Sequence, residues 1–142
     1  IGSFDGIWTA QTFQHIPNFK RAVNEAHRVL KPRGFFINYS LHITPLNKII
    51  YKIFNKPFHI NGTVEDTFYL VRANNDQLRD IENIFGNKVV SRYTENFFHP
   101  DLHFTFSGRI NNKLGRLDAY LGGNSFVTKF FARQASFEVN KL

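Results

Sequence analysis

The feature that most constrains the fold is a strand, a helix and a second strand within the first forty residues. Residues 4–10 form an apolar run of strand length, and residues 35–40 form another. Between them, apolar residues recur with helical spacing on one face, at Phe19, Ala22, Val23, Ala26, Val29 and Leu30. Asn18 can cap this helix and Pro32 ends it, because proline disfavours helical geometry in the preceding residue. A unit of this kind requires parallel strands with the helix packed against the sheet.

The remainder of the chain continues with short elements of the same two kinds. The patterns predict a helix at 45–54, a loop at 55–73, a helix from Asn75 or Asp76 to Phe85, a strand at 88–93, a short helix at 114–121 and a last strand at 128–141. Residues 97–111 favour no single assignment. The order of elements predicts an α/β domain whose last strand is reached without a long crossover helix.

The composition limits the domain count and excludes several kinds of chemistry. With 142 residues, of which 42% are apolar, the chain is long enough for one domain with a core and too short for two. The absence of cysteine excludes disulfides, zinc ribbons and thiol catalysis. No apolar stretch is long enough to span a membrane, and no secretory signal is visible. We therefore expect a cytoplasmic protein.

Two stretches near the start of the chain, FDGIWTAQTFQHI and HRVLKPRGFFIN, carry a resemblance to a known family. The first resembles the fourth strand of class I S-adenosylmethionine (SAM)-dependent methyltransferases of the small-molecule type, which reads Phe-Asp, apolar residues and a polar stretch ending in histidine. The second resembles the helix end, turn and fifth strand that follow in that family. The resemblance is specific over residues 1–40 and holds for the remainder only in the order and type of elements.

The resemblance implies a fold, a cofactor and an activity. The fold would be a partial Rossmann-like methyltransferase fold, with strands four to seven, their helices and an antiparallel final strand. The cofactor would be SAM, and the activity would be methyl transfer to a small-molecule acceptor. The residues do not identify the acceptor or its reacting atom.

Two parts of the family pattern have no counterpart in this sequence. They are the glycine-rich loop after the first strand and the acidic residue that closes the second strand. The chain also starts at Ile1 and contains no methionine. We therefore expect residues 1–142 to be a single domain, the C-terminal part of a methyltransferase domain whose N-terminal SAM-binding half is absent, and to be inactive alone. A strand and a glycine-rich turn should be encoded about 60 to 100 residues upstream.

The turn before the fifth strand departs from the family pattern. Arg33 takes the place of the first glycine of that turn. If this position requires a positive φ angle, arginine is strained there, because its Cβ is crowded in the left-handed region. Asn18 likewise occupies a position where related sequences often have aspartate, which removes a negative charge near the expected pocket.

The carboxyl end of the first strand is the predicted cofactor site. In open α/β sheets, ligands bind beyond the carboxyl ends of the strands. The resemblance places cofactor contacts at Thr9, Ala10 and Gln11, through hydrogen bonds of the backbone and the side chains. The alternative is that these residues only begin a loop.

His15 is the candidate catalytic residue at the mouth of this site. A histidine can orient an acceptor or act as a base near neutral pH. The alternative is a structural histidine at the helix entry that packs on Trp8 or Phe13. Because direct methyl transfer needs mainly the alignment of acceptor, methyl group and sulfur, an obvious base is not required.

Two later segments have residues that could bind a metal or a membrane. His99, Asp101 and His103 would share one face of an extended segment, but no fourth ligand lies nearby and we predict no metal. The helix at 45–54 is amphipathic and basic, which permits a position on a membrane surface. It is barely three turns long, so packing over the sheet or over the substrate pocket is favoured, and we expect no membrane partner.

The positive charge of the chain leaves a second function open. The net charge of +7 and the basic residues Arg109, Lys113 and Arg116 would suit a basic RNA-associated binding module. A third alternative is a remnant domain that serves only in protein contacts. The basic residues are spread along the chain without a base-stacking motif, so we expect a small-molecule acceptor and no nucleic-acid partner.

The first strand is also a candidate for self-association. The corresponding strand of the family is central in its sheet, whereas here it would become an open edge. Residues 6–9 are apolar and include no lysine or proline that would discourage pairing. We therefore expect the chain to pair with a second copy through this edge.

Overall fold

The computed structural model describes residues 2–43, 48–49, 52–53, 55, 69–94, 108–122, 130, 132 and 134–142. Two compact units are present. The first comprises Ile1–His42, His59–Arg92 and Ala135–Leu142, and the second comprises Ile43–Phe58 and Tyr93–Gln134. The first unit contains the elements that position the candidate site.

The described elements alternate between strands and helices, as the sequence predicts. In chain order they are β1 (Phe4–Ala10), a 3-10 turn (Phe13–His15), α1 (Phe19–Val29), β2 (Leu30–Leu41), α2 (Asn75–Phe85), β3 (Val90–Thr94), α3 (Gly108–Gly122) and β4 (Gln134–Asn140). The four strands form one sheet in the order β1-β2-β4-β3. This confirms the predicted α/β fold with a partial Rossmann-like sheet.

Strands β1 and β2 pair in parallel across α1, which confirms the predicted strand-helix-strand unit. Ile7 lies opposite Phe36, and Thr9 lies opposite Asn38. The register shifts near the start of β1, where the ring of Phe35 lies over Gly6. A Cβ atom at Gly6 would fall 2.1 Å from that ring, so a larger residue at this position would have to displace the Phe35 side chain.

Strand β4 runs antiparallel to β2. The Lys141 N–H donates to the carbonyl of Gly34 at 2.8 Å, and the Arg33 N–H donates to the carbonyl of Lys141 at 3.0 Å. The residue that follows β4 therefore lies beside the first part of β2, which requires opposite directions. The predicted antiparallel final strand is confirmed.

Both helices of the first unit begin at asparagine caps and bury one apolar face. The Asn18 side chain accepts from the Arg21 N–H at 3.0 Å, as predicted. The cap of α2 is Asn74, one residue earlier than predicted, and this helix ends at Gly86 with φ 66°. The core between the helices and the sheet includes Val23, Ala26, Leu30, Phe36, Ile81, Phe85 and Phe137.

Three boundaries differ from the sequence prediction by about five residues or more. β2 begins at Leu30, directly after α1, because Leu30 already pairs with Phe4. α3 begins at Gly108 rather than at residue 114. The last strand begins at Gln134, and Phe130, which was predicted to lie in it, is helical. Short apolar runs fit a strand and a buried helix equally well, so periodicity alone misplaced this boundary.

The predicted helix at 45–54 is described only in part. Lys48, Ile49, Lys52 and Ile53 are helical, and the remainder lies outside the described residues. Ile49 and Ile53 are 55% and 71% exposed, so the expected packing of this helix over the sheet or over the substrate pocket does not cover these two side chains. An apolar stripe identifies one face of a helix but does not supply a surface to cover it. None of the helices in the described ranges has the length and apolar character needed to cross a membrane.

Strand β1 lies at one end of the four-stranded sheet. Its large apolar side chains are open to solvent: Phe4 is 55% exposed and Trp8 is 68% exposed. The expected self-association through this edge stays a prediction.

Arg33 adopts the strained conformation that the turn pattern suggested, with φ 66°. The left-handed region costs a residue with a Cβ about 1–2 kcal/mol, and the greater unfolded freedom of glycine offsets roughly 0.5–1 kcal/mol. Arg33→Gly should therefore raise the free energy of unfolding by about 0.5–1 kcal/mol in urea denaturation. Arg33→Ala is the matched control, since it removes the charge and keeps the Cβ. An equal gain in both variants would assign the effect to the side chain instead of the backbone.

Candidate functional site

The carboxyl ends of β1 and β2 meet at one edge of the sheet, where Ala10 lies opposite Tyr39. The chain turns sharply there, because Gln11 has φ 54° and its N–H donates to the Tyr39 carbonyl at 2.7 Å. The Thr12 hydroxyl donates to the Ala10 carbonyl at 3.2 Å. Ala10 and Gln11 are both exposed, so two of the three predicted cofactor residues lie at the open edge.

The third predicted cofactor residue uses its side chain inside the sheet. The Thr9 hydroxyl lies 3.1 Å from Oδ1 of Asn38 and 3.4 Å from the Ile37 carbonyl. Asn38 is fully buried, so the hydroxyl is directed toward the interior. A contact from Thr9 to a cofactor would therefore have to use its backbone.

Asn38 is a polar residue of the site region that the sequence patterns did not reveal. Its Oδ1 accepts hydrogen bonds from the hydroxyls of Thr9 and Ser40, each at 3.1 Å. Within the described ranges, its Nδ2 has no hydrogen-bond partner. A buried amide usually has partners for all its polar atoms. Among the described residues, Asn38 therefore places an unsatisfied polar group below the carboxyl edge.

His15, the candidate catalytic residue, lies at the end of the 3-10 turn and is exposed. Its Nδ1 is 2.8 Å from the Tyr69 carbonyl oxygen, and its Nε2 is 3.1 Å from Nε2 of Gln14. The described structure thus connects His15 to the segment that precedes α2. Whether it acts on an acceptor stays a prediction.

Gln14 is the second residue that sequence reasoning missed. It is buried, and its Oε1 accepts from the Leu41 N–H at 3.0 Å, at the end of β2. Its backbone carbonyl accepts from the Val71 N–H at 2.7 Å. Gln14 therefore joins three segments at the carboxyl edge: the 3-10 turn, the end of β2 and the residues before α2. The only signal in the sequence was its place beside His15.

The segment at residues 69–73, predicted as loop, lies along the end of β2. The Ala73 N–H donates to the Leu41 carbonyl at 2.7 Å, and His42 and Ala73 form a parallel bridge. The Tyr69 hydroxyl lies 3.4 Å from the Pro17 carbonyl. The segment therefore forms one wall of the site region.

His42 and Arg72 are the two residues that determine the charge of this wall. Arg72 is buried, at 5% exposure. Burial lowers the pKa of His42 to about 4, and the nearby Arg72 cation lowers it further in the same direction. His42 is therefore neutral at physiological pH.

Two cavities lie away from this edge. One of about 440 Å³ is lined by Glu82, Asn83, Gly86, Asn87 and Lys88, at the turn between α2 and β3. The other, of about 340 Å³, is lined by residues of β2, β3 and β4, including Phe35 and Val90. Among the described residues, no three potential metal ligands cluster, and His99, Asp101 and His103 lie outside them.

Known proteins of similar fold support the α/β assignment. Residues 2–38 match a family described as a methyltransferase domain. A SAM-dependent methyltransferase from Archaeoglobus fulgidus is similar with TM-score 0.57 and 13% identity, over 98% of this chain and 60% of that chain. A SAM-dependent methyltransferase of Thermotoga maritima, described as a possible histamine N-methyltransferase, has TM-score 0.57 and 15% identity, over 99% and 57%. No protein curated for function matches in sequence.

The resemblance to class I SAM-dependent methyltransferases is therefore confirmed at the level of motif and fold. The chain spans about three fifths of the length of these two structures. Both of these structures are described as SAM-dependent, which agrees with the cofactor that the sequence resemblance implies. Ala10 and Gln11 are exposed at the carboxyl edge, which fits the part of a SAM site that a fourth strand would contribute.

The low pKa of His42 predicts a pH-dependent stability. The unfolded chain binds the proton near pH 6.5 and the folded chain only near pH 4, so stability is lost as pH falls through this window. The loss due to His42 should reach about 3 kcal/mol at most. In urea denaturation from pH 7 to 4, His42→Gln should have a shallower pH slope than the wild type. His27, whose pKa is also lowered by burial, contributes equally to both proteins. Identical slopes would contradict the assignment.

Proposed function

We propose that these residues belong to an enzyme that transfers the methyl group of SAM to a small-molecule acceptor. Residues 1–142 would form the C-terminal part of its methyltransferase domain. The observation that carries the proposal is the parallel pairing of β1 and β2, which brings the residues of the family match to one carboxyl edge. The sheet order β1-β2-β4-β3 supports it.

The residues of this edge would hold and orient the two reactants. SAM supplies an electrophilic methyl group attached to a sulfonium sulfur. Ala10 and Gln11 would contact the cofactor, with the backbone of Thr9 beside them, and His15 would face the acceptor at the mouth. Because direct displacement depends mainly on alignment, the rigid hydrogen bonds of Gln11 and Gln14 are the kind of support that the reaction needs.

The class of acceptor is proposed from the motif type and from one structural neighbour. The two matching stretches resemble the small-molecule members of the family. The Thermotoga maritima neighbour is described as a possible histamine N-methyltransferase. Small amines, histamine among them, are therefore the first acceptors to test.

The test compares two variants of the complete protein that add one negative charge each. Ala10→Glu places a carboxylate where the cofactor would rest, and Ala10 is exposed, so the fold should tolerate it. Calorimetric titration with SAM should show a Kd raised at least about tenfold, which corresponds to about 1.4 kcal/mol. S-adenosylhomocysteine release with a panel of small amines should fall in parallel.

Asn83→Glu is the matched control, since Asn83 is exposed on α2 and lines the cavity of about 440 Å³ at the turn between α2 and β3. This variant should bind SAM like the wild type. If Asn83→Glu lost SAM binding and Ala10→Glu retained it, the cofactor site would have to be assigned to the other end of the sheet. A complete protein that binds no SAM would overturn the proposed function.

A further inference from the structure

Gln14 and His15 form a hydrogen-bonded chain whose direction is fixed at both ends. At one end is the Leu41 N–H, which can only donate, and it lies 3.0 Å from Oε1 of Gln14. At the other end is the Tyr69 carbonyl, which can only accept, and it lies 2.8 Å from Nδ1 of His15. Between them, Nε2 of Gln14 lies 3.1 Å from Nε2 of His15.

The donors and acceptors in this series of hydrogen bonds permit only one placement of the protons. Because the Leu41 N–H occupies Oε1, the amide nitrogen of Gln14 faces His15 and donates to it. Nε2 of His15 must then accept, so its proton resides on Nδ1. That proton is the one donated to the Tyr69 carbonyl. The chain therefore runs from Leu41 through Gln14 and His15 to Tyr69, with every hydrogen bond in the same sense.

We propose that Gln14 is a positioning residue: it holds the ring of His15 as the Nδ1–H tautomer and thereby fastens the segment at residues 69–73 to the mouth of the site. Gln14 is suited to this task because it is buried, at 3% exposure, whereas His15 is exposed. Its backbone carbonyl also holds the Val71 N–H at 2.7 Å. One residue thus controls both the ring of His15 and the backbone of the facing wall.

The consequence for the reaction rests on the proposed function. In this arrangement the lone pair of His15 Nε2 is engaged by the Gln14 amide, and Nδ1 is a donor. His15 then contributes to the site by fixing the wall at Tyr69, and its Nε2 can take a proton from an acceptor only after Gln14 turns away. The tautomer itself does not depend on the activity of the protein.

The experiment measures the tautomer of His15 by long-range nitrogen-proton correlation in ¹⁵N-labelled protein at pH 8. In the wild type, Nδ1 should give the signal of a protonated nitrogen and Nε2 that of an unprotonated one. In Gln14→Glu, the carboxylate can still accept from the Leu41 N–H but can no longer donate, so the Nε2 of His15 should become protonated. Asn83→Asp adds the same charge at an exposed position of α2 and should leave both signals unchanged. An unprotonated Nδ1 in the wild type, or an unchanged ring in folded Gln14→Glu, would overturn the proposal.

A second pair of variants avoids a change in the buried residue. His15→Asn retains an N–H donor near the position of Nδ1, and His15→Ala does not. Hydrogen exchange at the Val71 amide should accelerate about fivefold in His15→Ala, the effect expected from the loss of one hydrogen bond, and remain near the wild-type rate in His15→Asn. Equal rates in all three proteins would show that His15 does not hold the wall. Because neither readout uses SAM, a failure of the proposed function would leave them unaffected.

Discussion

The parallel pairing of β1 with β2 is the constraint on which the remaining structure depends. It fixes Thr9 opposite Asn38 and Ala10 opposite Tyr39, so both strands end at the same edge. The helix α1 must then cross back over the sheet, where the ring of its His27 packs edge-on against Phe85, and Phe85 stacks on Phe36. Two positions near this pairing are constrained: Gly6 lies under the ring of Phe35, and the backbone of Arg33 is in the left-handed region. Both occur where β2 joins its neighbours.

Hydrogen bonds between distant segments hold the walls of the candidate site in place at this edge. The 3-10 turn after β1 and the segment before α2 have no regular structure of their own to hold them together. Gln14 supplies the connection, with its carbonyl to Val71 and its side chain to Leu41 and His15. A site that must align two reactants benefits from such support, since a small displacement of either wall changes their relative positions.

The sequence predicted the elements that have a local signature. α1 followed from its helical spacing and its Asn18 cap, and the strain at Arg33 followed from the glycine that the turn pattern expects. The contacts of Gln14 could not be predicted, because Leu41 lies 27 residues away and no local pattern encodes that pairing. The exposure of Ile49 and Ile53 was missed for the same reason: a periodic stripe specifies a face, whereas tertiary structure decides what covers it.

The central claim is that the cofactor rests at the carboxyl end of β1. Ultraviolet cross-linking of methyl-labelled SAM to the complete protein, followed by mass spectrometry of the peptides, tests it most directly. The label should appear on the peptide that contains Ala10 and Gln11, and excess unlabelled S-adenosylhomocysteine should abolish it. Label on the peptide that contains Asn83 and Lys88, at the cavity between α2 and β3, would contradict the claim.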